Sequence, residues 1–216
     1  MKLVHATYEP AGEGPFPTIF AMHGWGSNAM DLHGLAPFMA NGQFLVICPQ
    51  GKIEVEIGAV NGYGWYQTKP GAHADEEKVD EAVAELSGFI NEACKRYPVD
   101  RSKIVAAGFS QGGMMAYNLA MRWPERFAAL IGIGTAFPEW LTERITNREA
   151  LKNLPTLIEH GRADEAISMK RARKSMEQLR ELGVPVTFRD YDCGHEVAAD
   201  GVRDLSAFLI EHVLKH

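Results

Sequence analysis

Residues 104–113 read IVAAGFSQGG, and this stretch decides the fold. Ile104–Phe109 is a short apolar run with the length of a buried strand, and the residues from Gln111 onward have helical periodicity. The turn between them, residues 108–112, fits the pattern G-x-S-x-G. A sharp strand-to-helix turn of this kind lifts its serine to the edge of a sheet, and glycine is needed where neighbouring backbone passes close by. Ser110 is therefore predicted to be a nucleophile at the start of a helix.

Short apolar runs alternate with helical segments over the rest of the chain. Glu76–Arg96 is the clearest helix, because apolar residues such as Val79 and Val83 repeat at helical spacing. Such alternation predicts an α/β fold with a mostly parallel central sheet and helices on both faces. The predicted strands are Thr18–Met22, Phe44–Cys48, Ile104–Phe109, Ala128–Ile133, Thr156–Glu159 and Val186–Tyr191, with Lys2–Tyr8 as an edge strand. The predicted helices are Ala29–Ala40, Glu76–Arg96, Gln111–Trp123, Ser168–Leu182 and Asp200–Leu214.

Two long connections interrupt this alternation. Residues 50–75 are predicted to be an irregular, Gly-rich loop, and residues 134–154 an insertion that is partly helical. Both follow predicted strands at the carboxyl edge of the sheet, where α/β proteins bind ligands. Because both are modest and the chain has no internal repeat or linker, we expect a single domain over residues 1–216 with a minimal lid or none.

The composition excludes several classes of protein. The chain has 216 residues with 22 Lys and Arg against 28 Asp and Glu, and its net charge of −6 disfavours nucleic acid as a partner. No apolar run approaches the length of a membrane span, and the first residues lack the apolar segment of a signal peptide. Cys48, Cys94 and Cys193 are too few and too scattered for a disulfide framework or a cysteine zinc site, so a cytoplasmic location is expected.

A serine nucleophile needs a base, and the base needs an orienting acid. After a G-x-S-x-G turn the chain order is serine, then Asp or Glu, then His. His195 follows the strand Val186–Tyr191, where a loop can place its imidazole over the sheet edge, and His160 is its rival. Asp164, in the loop after the preceding strand, is the predicted acid, with Glu165 as the alternative.

An oxyanion hole requires two backbone N–H groups aimed at the developing negative charge. Gln111, directly after the nucleophile, is predicted to supply one. Trp25, in the loop after Thr18–Met22, is preferred for the other, with Gly26 as the second choice. Residues 24–29 also fit the dinucleotide-binding pattern G-x-G-x-x-A, but the acidic residue which that pattern needs about 20 positions later is missing, so no cofactor is expected.

These residues together resemble the α/β-hydrolase superfamily, and more closely its phospholipase/carboxylesterase family, which includes bacterial carboxylesterases and acyl-protein thioesterases. The resemblance spans about Pro17 to His216, and Trp25, Tyr66 and Gln67 depart from the residues usual in that family. It implies the α/β-hydrolase fold, a triad and an oxyanion hole. The motifs that carry it are Gly108–Gly113, His23-Gly24, Gly64-Trp65-Tyr66, the Asp164 loop and Gly194-His195. The implied site residues are Ser110, Asp164 and His195 for the triad and Trp25 and Gln111 for the oxyanion hole.

The expected function is that of a serine carboxylesterase acting on small, short-to-medium acyl esters, without a metal or cofactor. Gly24, Trp65 and Tyr66 are the predicted substrate contacts. A thioesterase or lysophospholipase with the same triad, and a non-catalytic binding protein of the same fold, stay open as alternatives. The expected partner is a small-molecule ester, and the chain is expected to be a monomer or homodimer. The basic run of residues 170–174 is expected to be a solvated helix face, with an anionic partner as the alternative.

Overall fold

A computed structural model describes residues 2–58, 60–68 and 74–215. Its centre is a seven-stranded sheet, beside which lies a two-stranded hairpin. The strands are β1 (His5–Tyr8), β2 (Phe16–Met22), β3 (Leu45–Pro49), β4 (Ile53–Ile57), β5 (Val60–Gly64), β6 (Val99–Phe109), β7 (Ala129–Ile133), β8 (Thr156–Gly161) and β9 (Val186–Tyr191). The sheet order is β1-β3-β2-β6-β7-β8-β9, and only the β1–β3 pair is antiparallel. The predicted mostly parallel sheet is confirmed, with β1 at its edge.

Helices cover both faces of the sheet, as predicted. They are α1 (Met30–His33), α2 (Glu76–Arg96), α3 (Gln111–Arg122), α4 (Met169–Glu181) and α5 (Ala199–Leu209), the last continuing as a π-helical turn over Ile210–Leu214. Apolar side chains of α2, α3 and α4 form the core on one face, and those of α1 and α5 the core on the other. Within the part of the chain that the structure describes, no helix is long and apolar enough to cross a bilayer.

The helix α2 begins and ends where the sequence predicts, and its termini show why. Oδ1 of Asp75 accepts hydrogen bonds from the N–H groups of Glu77 and Lys78, at 3.1 and 3.4 Å. This satisfies donors that a helix start leaves unpaired. Glutamates in the first turn and Lys95 and Arg96 in the last also match the helix dipole.

The predicted helix over Ala29–Ala40 is wrong. The structure has only the four-residue α1 followed by a 3-10 segment, Ala36–Gly42. Pro37 cannot donate a backbone hydrogen bond inside a continuing helix, and its ring would clash with the preceding turn. Near the end of this segment, Ala40 and Asn41 have positive φ values of 46° and 56°, which interrupt the helical geometry.

The irregular loop predicted over residues 50–75 is also wrong in its first half. There the antiparallel strands β4 and β5 form a hairpin, with residues 53–57 paired to residues 60–64. Residues 53–57 read IEVEI, an apolar–polar alternation that is the usual signal of a half-buried strand. Residue 59 and residues 69–73 of this stretch lie outside the described residues. The insertion 134–154 contains two short 3-10 segments, in agreement with its partly helical prediction.

Candidate active site

The three residues predicted to form a triad meet at the carboxyl edge of the sheet. Ser110 follows β6, Asp164 follows β8 and His195 follows β9, and these strands all run in the same direction. Nε2 of His195 lies 2.9 Å from Oγ of Ser110. Nδ1 of His195 lies 2.7 Å from Oδ2 of Asp164. The parallel sheet thus brings together side chains that are up to 85 residues apart in the chain.

Ser110 occupies a strained turn between β6 and α3. Its φ of 52° and ψ of −117° are unusual for a residue with a side chain. Its N–H donates to the carbonyl of Ile133, at 2.9 Å, which anchors the turn to β7. A serine before a helix commonly caps it, but Oγ of Ser110 makes no capping bond and is directed to His195 instead.

Steric crowding explains why both outer positions of the motif, Gly108 and Gly112, are glycine. A Cβ placed on Gly108 would lie 2.2 Å from the carbonyl oxygen of Gly112. A Cβ on Gly112 would lie 2.0 Å from the carbonyl oxygen of Met22, in the neighbouring strand β2. Both distances are far below van der Waals contact, so only glycine lets the helix start so close to the sheet.

The carboxyl group of Asp164 is buried and held by its own loop. Oδ1 accepts hydrogen bonds from the N–H groups of Ala166 and Ile167, at 2.9 and 2.8 Å. Burial by itself raises the pKa of Asp164, but the Ile167 hydrogen bond and the hydrogen bond and charge of His195 outweigh it and lower the pKa. Asp164 is therefore a carboxylate, and it can orient His195 with the proton on Nδ1.

The residues considered as alternative base and acid, His160 and Glu165, lie outside the hydrogen-bonded triad. His160 is fully buried, with Nε2 at 2.6 Å from the carbonyl of Ile167 and 3.4 Å from Oδ2 of Asp164, so it lies behind Asp164. Glu165 is exposed. The ring of His195 packs against that of Phe109, with centroids 4.8 Å apart and the planes tilted by 38°, and this contact holds it above the end of β6.

The two backbone N–H groups predicted to form the oxyanion hole have no hydrogen-bond acceptor in the part of the chain that the structure describes, whereas the N–H of Gly26 has one. Gly26 N–H donates to the carbonyl of Tyr63 in β5, at 2.8 Å. The amides of Trp25 and Gln111 donate to no acceptor in the described ranges. A Cβ on Gly24 would lie 3.5 Å from Cβ of Ser110, which places this loop beside the nucleophile. Trp25 thus fits the role better than Gly26.

A family model described as Phospholipase/Carboxylesterase matches residues 5–213, nearly the whole chain. The chain belongs to the phospholipase/carboxylesterase family. Membership makes it a carboxylic ester hydrolase, that is, an esterase or thioesterase of the α/β-hydrolase type.

Similar proteins include both esterases and thioesterases. Acyl-protein thioesterase 1 of Gibberella zeae is 24% identical over 220 residues, which cover 93% of this chain and 92% of that protein. The structure of esterase PE8 has a TM-score of 0.82 at 24% identity, covering 98% of this chain and all of that one (100%). The Bacillus cereus carboxylesterase has a TM-score of 0.83 at 20% identity, covering 98% and 95%. At these identities, the structural matches show that the fold is shared.

In this member of the phospholipase/carboxylesterase family, a network that the sequence did not predict holds the loop that carries Trp25. Oε1 of Gln111 accepts from Trp65 N–H and Nε2 donates to the carbonyl of Tyr66, both at 2.8 Å. The indole Nε1–H of Trp65 donates to the carbonyl of His23, at 2.9 Å. Trp65 and Tyr66 are only 6% and 4% exposed. The side chain of Trp65 and the backbone of Tyr66 thus support the site, while direct contact of Trp65, Tyr66 or Gly24 with substrate stays a prediction.

His23 fixes the start of the same loop. Gly51 N–H donates to Nε2 of His23 at 3.0 Å, so the ring proton is on Nδ1, which donates to the carbonyl of Gly24 at 2.7 Å. Burial lowers the pKa of His23, although the Gly24 carbonyl and the Asp31 carboxylate oppose this effect. The lowered pKa keeps the ring neutral. The sequence signals for this role are a polar residue directly after an apolar strand and the His23-Gly24 motif of the family resemblance.

Proposed function

We propose that this chain is a serine carboxylesterase that hydrolyses small, short-to-medium acyl esters through an acyl-enzyme on Ser110. The observation that carries the proposal is the hydrogen-bonded chain from Ser110 through His195 to Asp164, with distances of 2.9 and 2.7 Å. This order of groups activates a hydroxyl that is a weak nucleophile by itself.

In the acylation step, Oγ of Ser110 attacks the ester carbonyl while Nε2 of His195 takes the hydroxyl proton. The N–H groups of Trp25 and Gln111 donate hydrogen bonds to the carbonyl oxygen and stabilise the negative charge that develops on it. The Asp164 carboxylate stabilises the imidazolium that forms. The tetrahedral intermediate then breaks its bond to the alcohol oxygen, and His195 returns the proton to that leaving group.

In the deacylation step, water takes the place of the alcohol. His195 removes a proton from the water, whose oxygen attacks the acyl carbon bound to Ser110. The same two amides hold the second oxyanion. When the bond to Oγ breaks, His195 protonates the serine, and the free acid leaves. The enzyme is thereby restored with one water consumed for each ester.

The preference for small esters is supported by what surrounds the site. In the described part of the chain, the additions to the sheet and its helices are the β4–β5 hairpin and short 3-10 segments. None is a helical cap, so long acyl chains have little apolar cover. The three cysteines, Cys48, Cys94 and Cys193, are free thiols, which supports the cytoplasmic location included in this proposal. We further propose a monomer or homodimer.

A thioesterase is the second candidate, because the Gibberella zeae relative is an acyl-protein thioesterase. The same triad would attack a thioester carbonyl and release a thiol. Matched oxyesters and thioesters with one acyl group separate the two functions. A carboxylesterase is expected to show the higher kcat/KM for the oxyester, after correction for the faster uncatalysed thioester reaction.

The proposal is tested by replacing Ser110 with alanine. We expect Ser110→Ala to abolish hydrolysis of p-nitrophenyl acetate and butyrate while its circular dichroism and Tm stay near those of the parent. An alkyl fluorophosphonate should label Ser110 alone, as read by peptide mass spectrometry. Full activity in purified Ser110→Ala would overturn the assignment. Failure of the parent to react with any probe would favour a non-catalytic binding protein.

A further inference from the structure

A cavity of about 550 Å³ lies beside α3 and α4, one helical turn from the nucleophile. Its apolar wall includes Met114, Phe137 and Trp140. Met114 is adjacent to the site, since its N–H donates to the carbonyl of Ser110 at 3.2 Å. Arg171 from the first turn of α4 also lines the cavity. The cavity therefore joins an apolar surface near Ser110 to a cationic side chain.

The cavity lies on the face of the sheet that α2, α3 and α4 cover. Met114, Phe137 and Trp140 pack on the core formed by α2, α3 and α4. The ring of His195 contacts that of Phe109, which packs on the core of the opposite sheet face. A leaving alcohol must stay within reach of His195 to take its proton. The cavity is therefore placed for the acyl part of a substrate.

Arg171 is the cation in this cavity whose charge is not compensated. Lys174, also in the wall, forms an ion pair with Glu139. Arg173 points elsewhere and lies 3.6 Å from Asp190. No ion pair to the guanidinium of Arg171 is found within the residues that the structure describes. The basic residues of the run are all exposed, as expected of a solvated helix face, and two of them, Arg171 and Lys174, also line the cavity.

We propose that this cavity is a subsite for acyl chains that end in a carboxylate. Its apolar wall would take the methylene groups, and the guanidinium of Arg171 would bind the distal carboxylate through paired N–H donors. The substrate class is then the monoesters of linear dicarboxylic acids, which hydrolysis converts to the diacid and an alcohol. This inference rests on the proposed esterase function and assigns its acyl specificity.

The test compares substrates that differ only in distal charge. Monomethyl esters of adipic, pimelic, suberic and sebacic acids are paired with the same esters carrying a neutral carboxamide at the far end. We expect wild type to prefer the carboxylate member of the best pair by about tenfold in kcat/KM, the effect of one charged hydrogen-bonding partner. Arg171→Gln should remove that preference and leave the carboxamide rate within about twofold. Arg173→Gln, on the same helix, is the control and should retain it.

Other outcomes overturn the inference. Equal rates on both members of every pair, or an equal loss on both in Arg171→Gln, would reject the subsite but leave the esterase function intact. If the wild-type protein hydrolysed none of the esters and Ser110 were not labelled, the esterase function would be rejected. Calorimetry on Ser110→Ala then measures binding of monomethyl suberate without turnover. Binding that becomes about tenfold weaker when Arg171→Gln is added supports the subsite. Absence of binding to Ser110→Ala rejects it.

Discussion

The carboxamide of Gln111 is hydrogen-bonded to the backbone of Trp65, 46 residues away, with Oε1 at 2.8 Å from the amide nitrogen. Gln111 is also the residue whose own backbone N–H is predicted to donate a hydrogen bond to the oxyanion. Trp65 in turn donates to the carbonyl of His23, at the start of the loop that carries Trp25. One residue thus supplies one candidate oxyanion donor and, through Trp65, holds the loop that supplies the other.

Replacing Gln111 with methionine tests this arrangement, because Gln111→Met keeps the backbone amide and the side-chain length. Trp65 N–H and the Tyr66 carbonyl would lose their partners in a buried place, at a cost of about 1–3 kcal/mol in the free energy of unfolding. Removal of an oxyanion donor typically lowers kcat by about 10²–10³, so we expect its displacement to lower kcat by about tenfold or more. Urea denaturation and p-nitrophenyl acetate kinetics measure both.

The matched control is Gln43→Met. Gln43 is exposed, and its Nε2 donates to the carbonyl of Ala40 at 2.9 Å. Its replacement is expected to change the unfolding free energy by no more than about 0.5 kcal/mol and kcat not at all. If Gln111→Met lowered stability but left kcat unchanged, the hydrogen bonds of the Gln111 side chain would have a structural role only.

Asp164→Asn is expected to lower kcat by about 10⁴, because an amide cannot hold His195 in the tautomer that accepts the serine proton. Binding of substrate should change far less, so KM is expected to stay within a few-fold. Glu165→Gln is the control, since Glu165 is the adjacent acid and is exposed. A larger loss in Glu165→Gln than in Asp164→Asn would reverse the assignment of the acid.

The sheet and the triad could be predicted because their signals are local. Each central strand is an apolar run bounded by glycine, proline or charge, and Ser110 is marked by the glycines around it. Parallel strands then bring their carboxyl ends to one edge, so Asp164 and His195 need only lie in the loops after the right strands. The chain order of the three residues completed the prediction.

The parts that could not be predicted depend on contacts between distant segments. The Gln111–Trp65 bond joins a side chain to a backbone amide in a region that was predicted to be irregular. The β4–β5 hairpin was not predicted, although apolar and polar residues alternate over Ile53–Ile57. This alternation covers only a few residues and lies within a Gly-rich stretch, which favours a loop. The uncompensated charge of Arg171 depends on which cations of its helix find acidic partners, and sequence spacing does not decide this.

Gly64 lies where the β4–β5 hairpin contacts the side chain of Trp25. A Cβ on Gly64 would lie 2.2 Å from Cε3 of Trp25, so Gly64→Ala must displace the residue that is expected to supply an oxyanion donor. We expect a loss of about 1–3 kcal/mol in the free energy of unfolding, together with a fall in kcat. Gly88→Ala, in α2 with no atom within 4 Å of the new Cβ, should instead stabilise by about 0.5–1 kcal/mol and leave kcat unchanged. Unchanged kcat in Gly64→Ala would show that Trp25 can shift freely.

Glu159 is a buried acid that the proposed mechanism does not use. Its Oε1 lies 3.2 Å from the hydroxyl of Tyr191, which lies 3.0 Å from Oδ2 of Asp204. The single phenolic proton cannot be donated to two carboxylates, so a protonated Glu159 satisfies the cluster best. Burial raises the pKa of Glu159 to about 8, with Asp204 adding to the effect and the Tyr191 hydrogen bond and the charge of Arg189 opposing it.

This raised pKa predicts a pH-dependent stability. Native Glu159 binds its proton more tightly than the unfolded chain does, so its contribution is complete below the unfolded pKa and is lost as the pH rises towards 8. From about pH 6 to pH 9, wild type is expected to lose about 2–3 kcal/mol relative to Glu159→Gln, measured by urea denaturation at each pH. Glu177→Gln, at an exposed position of α4, should follow wild type. If Glu159→Gln and wild type changed in parallel over this range, Glu159 would be ionised in the native protein at pH 6.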